Sequence, residues 1–207
     1  MISTQSIALC AVALGIAAAA APGASAQSAK SRWLDATPLR NWNNPNGTIP
    51  RGPNIALADI RDCEKRGAEE KTKSQPTPET RQVAAAGWHG AAVEKRAGDT
   101  VFVFARNGVD GMCRPMDYQI FVFVKGRFAG TLAPRPVDSR EDGSFSIEKE
   151  GAERFTASFM RYTKNDPLCC PSRISTVTYG IRMVTAPGRG PQTPIVSPES
   201  VSTKASQ

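Results

Sequence analysis

The chain has 207 residues, 26 Lys and Arg against 19 Asp and Glu, a formal net charge of +7, and a single histidine, His89. One histidine excludes zinc catalysis through several imidazole ligands, and any Ser–His–acid triad would have to use His89. The positive balance favours weak contact with anionic envelope surfaces. Charge alone does not specify a binding site.

The first residues read MISTQSIALCAVALGIAAAAAPGASAQ. Ile7 to Ala21 form an uncharged apolar core, Pro22–Gly23 interrupts it, and Ala24–Ser25–Ala26 presents small residues at the last and third-last positions. This pattern predicts a signal peptide over residues 1–26, cleaved before Gln27, and a periplasmic or secreted protein. The apolar run is shorter than the roughly 20 residues a spanning helix needs, so no transmembrane segment is expected in the mature chain. Cys10 lies too early for a lipoprotein signal and leaves with the leader. No charged side chain precedes Lys30, so the mature chain keeps the whole formal charge.

Residues 27–53 are rich in Pro, Asn and Gly and show no period, which predicts an extended arm whose Trp33 and Trp42 pack on the domain. NIALADIRDCEKRG, residues 54–67, predicts one short helix. Asn54 can cap it, Gly67 can end it, and Ala56, Leu57, Ile60 and Cys63 share one face. AEEKTKSQPTPE reads as a solvated connector. His89, between Trp88 and Gly90, is expected in a turn. Trp88 with His89 is the one possible binding surface that the sequence offers.

Beyond Val83 the pattern turns to strands. In TVFVFA, residues 100–105, Phe102 and Phe104 share one face and Val101 and Val103 the other, so both faces need cover. YQIFVFV, residues 118–124, repeats the pattern, and Lys125–Gly126 makes a tight turn into RFAGTL. SFSIEKEGAERFTASFMRY reads as strand, glycine turn, strand. STVTYGIRM alternates Val177, Tyr179, Ile181 and Met183 against polar neighbours. The expected fold is a disulfide-stapled α+β domain over residues 54–184, with a mainly antiparallel sheet of about five or six strands and one short N-terminal helix. Residues 185–207, nearly free of large apolar side chains, are expected to form a disordered tail.

Five cysteines less Cys10 leave Cys63, Cys113, Cys169 and Cys170. An even number in an oxidising compartment points to disulfides, and their spacing matches neither zinc ligation nor a C-x-x-C redox motif. Strands running up and down in order would bring the loop RNGVDGMCRP and the loop TKNDPLCC to one end of the sheet. The expected outcome is two long-range bridges, Cys63 and Cys113 each taking one of the adjacent pair, presented by Pro167 and Pro171. The alternatives are a vicinal Cys169–Cys170 disulfide, which would mark a switch, and a thiol–disulfide catalyst.

The segments PETRQVAAAGW, GVDGMCRPMDYQIFVFVKGRFAGTL and YTKNDPLCCPSRISTVTYGI resemble the LppP/LprE lipoprotein family of bacterial cell-envelope proteins, over roughly Pro78 to Arg182. The resemblance implies an exported domain without an established activity and transfers no catalytic residue. Lipid anchoring is not carried over, because no lipobox is present.

Other motifs are better explained by local chemistry. Asn107, Gly108, Asp110 and Gly111 lack the alternating oxygen ligands of a calcium loop and suit a turn. KGRF matches the RNA-binding strand motif for two residues only, so no nucleic-acid partner is expected. NGT at Asn46 has no force as a glycosylation acceptor in a bacterial periplasm. The functional expectation is a non-enzymatic envelope protein that binds or supports a partner of unknown identity, without cofactor or metal. Its alternatives are a periplasmic hydrolase drawing two carboxylates from Asp138, Glu141, Asp142, Glu148, Glu150 and Glu153, and a thiol-redox factor using Cys169 and Cys170.

Overall fold

The computed structural model describes residues 31–45, 47–53, 58–67, 75–140, 144–151, 153–167, 169–185 and 190–206. The expected leader 1–26 with Cys10, the cleavage before Gln27, the Asn54 cap, Ala56, Leu57, Asn46, Glu141 and Asp142 lie outside them.

Among the described residues eight strands and two α-helices follow a short 3-10 helix, Ser31–Asp35. The helices are α1, Ala58–Gly67, and α2, Pro78–Ala85. The strands are β1, His89–Ala97; β2, Thr100–Val109; β3, Pro115–Val124; and β4, Arg127–Thr131. They continue with β5, Phe145–Glu150; β6, Arg154–Arg161; β7, Arg173–Val184; and β8, Thr193–Ala205. They form two four-stranded antiparallel meanders, β1-β2-β3-β4 and β5-β6-β7-β8.

The antiparallel architecture is as expected, but eight strands replace the expected five or six, and a second helix joins the one anticipated. Within the connector AEEKTKSQPTPE, Thr77 caps α2 by accepting from the Thr80 N–H at 3.3 Å, while Thr80 Oγ1 accepts from the Thr77 N–H at 2.9 Å. Pro78 occupies the first turn, where a missing N–H costs nothing. Strand β1 is built from HGAAVEKRA, a sequence poor in branched and aromatic residues. It forms because β2 supplies its ladder.

The largest correction falls on the tail. Residues 193–205 form β8, paired with β7 along its length, with Val196 fully buried and Ile195 nearly so. Pro194 and Pro198 are tolerated because β8 has a strand neighbour on one side only, and an edge strand can lack donors. A favourable ladder and two buried aliphatic side chains offset the ordering entropy that the composition alone could not.

The sheets face each other across one core. Phe102, Tyr118, Ile120 and Val122 of the first pack with Phe155, Phe159, Val177 and Tyr179 of the second. Phe102 meets Phe155 edge-on at 4.8 Å, and Phe155 stacks on Tyr179 at 5.2 Å. The other face of the first sheet carries Val101, Val103, Phe121 and Phe123 under Val83 of α2 and Trp88. Both faces of β2 are thus covered, as its apolar run requires. Lys125 and Gly126 have φ of 51° and 73°, the left-handed pair that a two-residue hairpin needs.

The arm ties the two sheets together. Asn43 sits between β4 and β8: its Oδ1 accepts from the Thr131 N–H at 2.9 Å, and its Nδ2 donates to Thr131 O at 3.0 Å and Val196 O at 3.1 Å. Gly130, φ 137°, leaves the room, since a Cβ there would lie 2.3 Å from the Asn43 amide carbon. Trp42 Nε1 donates to Thr131 O at 3.1 Å, and Trp33 packs edge-on against Trp42 and Phe159. Asp35 makes a two-point ion pair with the buried Arg161, at 2.8 and 2.9 Å. Arg161 holds that carboxyl below its usual range. Both tryptophans pack on the domain, as their cost in water requires. Asn43→Ala should leave buried backbone groups of both edges unpartnered and lower unfolding free energy by about 2–3 kcal/mol, read from urea denaturation.

Candidate functional site

The loop joining β2 to β3 is organised by one carboxylate. Asp110 accepts from the Met112 and Arg114 N–H groups at 2.9 and 3.0 Å, from Arg114 Nε at 2.7 Å and from Arg140 Nε at 3.0 Å. Burial opposes the charge, but the Arg114 backbone and guanidinium, Arg140 and the Met112 N–H prevail and hold the pKa down to about 2. Turn chemistry therefore does account for Asp110. Asn107, by contrast, is a fully buried residue of β2, with neither side-chain polar atom hydrogen-bonded to another protein group.

Beside this loop lies a cleft of about 230 Å³. Its walls are Phe104 of β2, Tyr118 of β3, Phe145 of β5 and Tyr162, just past β6, with Arg114 and Ser139 among the polar lining. Phe104 and Phe145 stack across the two sheets at 5.9 Å, and Tyr118 lies 5.6 and 5.7 Å from them. The Ser139 residue is only 8 % exposed, and its hydroxyl has no hydrogen-bond partner in the protein. A buried hydroxyl left unpaired costs about 1–3 kcal/mol, and this one lies behind the accessible face of the wall. A second groove of about 490 Å³ runs along the arm between Trp33, Pro38, Leu39, Trp42 and Pro134. It offers no comparable buried, unpartnered group.

The surface expected at Trp88 and His89 is not formed. Trp88 is 3 % exposed, packs edge-on against Phe121 at 5.1 Å, and donates from Nε1 to Pro50 O at 2.8 Å. Burial of so large a ring in the second core outweighs exposure. His89 is not in a turn: it begins β1 and is paired in register with Arg106.

The cysteines pair differently from the expectation. Cys63 and Cys113 join each other, with sulfurs 2.09 Å apart, and Cys169 joins Cys170. The strand count behind the expectation does not hold, since eight strands form two sheets, although Arg114 of the first loop and Tyr162, just before the second, line the same cleft. The sulfurs are nevertheless divided: Cys113 faces the helix, and the adjacent pair stays at the surface. Cys113 has φ 62°, a left-handed backbone fixed on one side by its N–H to Asp110 O at 2.8 Å and on the other by the bridge.

Among the described side chains the acidic candidates do not assemble; those of Glu141, Asp142 and Glu150 lie outside them. Asp138 accepts from the Asp117 N–H at 2.8 Å, Glu148 lies exposed beside Ser146, and Glu153 is exposed. Among the described residues no carboxylate lines the cleft, and no group of three His, Cys, Asp or Glu could hold a metal ion. No described helix is long and apolar enough to cross a membrane. The cleft itself was missed because Phe104, Tyr118, Phe145 and Tyr162 come from separated strands, each readable alone as core.

The comparisons bear on the two-sheet body. Residues 97–182 match the family model described as LppP/LprE lipoprotein, which bears out the resemblance read from the motifs over the stretch from the end of β1 into β7. None of the curated proteins and none of the solved structures matches the chain.

Asp110 supplies a pH test. Its folded pKa lies below the ordinary 3.8, so its contribution to stability is present above about pH 4 and is lost as pH falls through about 2. The stability difference between wild type and Asp110→Asn should shrink steadily from pH 4 to 2 in urea unfolding series.

Proposed function

We propose that this chain is an exported, non-enzymatic cell-envelope protein that binds a small, flat and largely apolar ligand in the aromatic cleft between its sheets. The family to which residues 97–182 are similar is one of lipoproteins, which supports an envelope location. The N-terminal pattern supports export with cleavage before Gln27. The observation that carries the binding reading is the cleft itself, walled by Phe104, Tyr118 and Phe145 from separate strands of both sheets and by Tyr162.

The chemistry of the lining decides between binding and catalysis. Four aromatic rings supply dispersion and apolar burial, which hold a ligand without activating it. Arg114 is the single charged residue of the described lining, and its Nε is already engaged by Asp110. The absence of a lining carboxylate, among the described residues, favours binding over acid–base hydrolysis. The cleft is below the roughly 300 Å³ at which drug-sized pockets begin, which sets the ligand near the size of one or two fused rings. The net charge of +7 favours anionic members of that class through long-range attraction.

A naphthalene sulfonate dye is a suitable probe, joining a flat apolar body to one anionic group. Phe145→Ala should weaken its fluorescence-detected binding at least tenfold, about 1.4 kcal/mol. Arg40→Ala, in the groove along the arm, should leave it unchanged. Ser139→Ala should raise folding stability by about 1–3 kcal/mol in urea unfolding, since it removes a buried hydroxyl that has no partner. Equal dye affinity in wild type and Phe145→Ala would sink the cleft reading.

A further inference from the structure

The Cys169–Cys170 bond does not behave as a staple. The two residues are one apart in sequence, so their bond closes no chain loop and removes no loop-closure freedom from the unfolded chain. The Cys63–Cys113 bridge, by contrast, spans 50 residues and pins α1, through a residue 8 % exposed, to the loop after β2.

Nor does the loop around the pair depend on its sulfurs for shape. Asp166 accepts from the Thr163 N–H at 2.7 Å and hydroxyl at 2.6 Å, and from the Ser172 N–H at 2.9 Å and hydroxyl at 2.8 Å. The Cys170 N–H donates to Pro167 O at 3.0 Å, and Ser206, just past β8, donates its N–H to Ser172 O at 2.8 Å. The hydrogen bonds from Thr163, and then those from Ser172, hold the Asp166 carboxyl well below the usual range, so the clamp stays charged wherever thiols react. Cys169 and Cys170 are both exposed. Lys164 lies in the loop and Arg173 at the start of β7, so the segment carries two cationic residues beside the pair in sequence.

We propose that Cys169–Cys170 is a thiol–disulfide exchange site that accepts two electrons from a protein dithiol. A thiolate of the dithiol attacks one of the two sulfurs, a mixed disulfide forms, and the Cys169–Cys170 bond breaks with its electron pair leaving on the other sulfur, which takes up a proton. The second thiol of the partner loses its proton and attacks the mixed disulfide, releasing the remaining cysteine as a thiolate that is then protonated. The partner ends as a disulfide and the loop holds two thiols, two electrons and two protons having moved. The Asp166 clamp keeps the loop in place through both states, so the couple can cycle without unfolding. This site is separate from the aromatic cleft and does not rest on ligand binding there.

The test uses the full mature chain purified from an oxidising compartment. The native protein is treated with limiting dithiothreitol, or with thioredoxin as the protein dithiol, quenched with N-ethylmaleimide and mapped as non-reduced peptides. The expected result is two labels, on Cys169 and Cys170, appearing at least tenfold faster than any label on Cys63 or Cys113, and no label on the pair where oxidised glutathione is added after reduction and before the quench. The double variant Cys169→Ser, Cys170→Ser should melt within about 2 °C of wild type and accept no electrons from thioredoxin. Overturning results are four free thiols in the untreated protein, a bridge from either cysteine of the pair to Cys63 or Cys113, or reduction of the pair only after denaturation. A double variant that fails to fold overturns it equally, because the bond would then be structural.

Discussion

Two sheets that share a core but no hydrogen-bond ladder leave four edges, and the seam between β4 and β8 is bridged by side chains: Arg127 of β4 donates to Gln192 O and Thr193 Oγ1 at one end, and Asn43 of the arm lies between the strands. Asn43 carries the same amide group as a peptide unit, so it can accept from one edge and donate to both as a third strand would. That closure covers one side of the core shared by the two sheets. Trp33 and Trp42 then cap the core beside it, and Asp35 neutralises the buried Arg161 of β6. The arm is therefore part of the wall of the domain, although it contributes no strand.

The loops obey a second constraint, which is electrostatic. Asp110 and Asp166 each gather four hydrogen bonds and fix the chain about themselves. The first sets Arg114 at the edge of the aromatic cleft; the second supports the adjacent cysteines. Carboxylate hubs of this kind hold a loop more rigidly than scattered neutral bonds do, since each bond to a charged acceptor is about twice as strong. Rigid loops suit a site made by packing rings from different strands, because Phe104, Tyr118 and Phe145 must keep their spacing for the cleft to persist.

The division of the cysteines separates two roles that the sequence presents together. Cys63 and Cys113 close a long loop, which in the chain-entropy picture restrains the unfolded chain by about 4 kcal/mol. The adjacent pair restrains almost nothing and lies in solvent. Prolines 167 and 171 stiffen the bend in either arrangement, which is why they could not indicate which partner each sulfur takes.

Composition and periodicity by themselves determined the antiparallel β character, the two covered faces of β2, the Lys125–Gly126 turn, and the packing of Trp33 and Trp42; the family resemblance came separately, from the motif segments between Pro78 and Arg182. These are properties of short stretches, where alternation and turn chemistry act between near neighbours. Thr77–Pro78–Glu79 also held a legible cap signal for α2, hidden by the charged residues before it. Only the tertiary structure decided the strand identity of β8 and β1, the burial of Trp88, the pairing of the sulfurs, and the meeting of Phe104, Tyr118, Phe145 and Tyr162 around Ser139. Each of those depends on a partner far along the chain: a ladder from β7 or β2, a core under α2, a helix facing Cys113. Free energy that a distant segment supplies leaves no mark on the local pattern, so it becomes visible only once the chain has closed on itself.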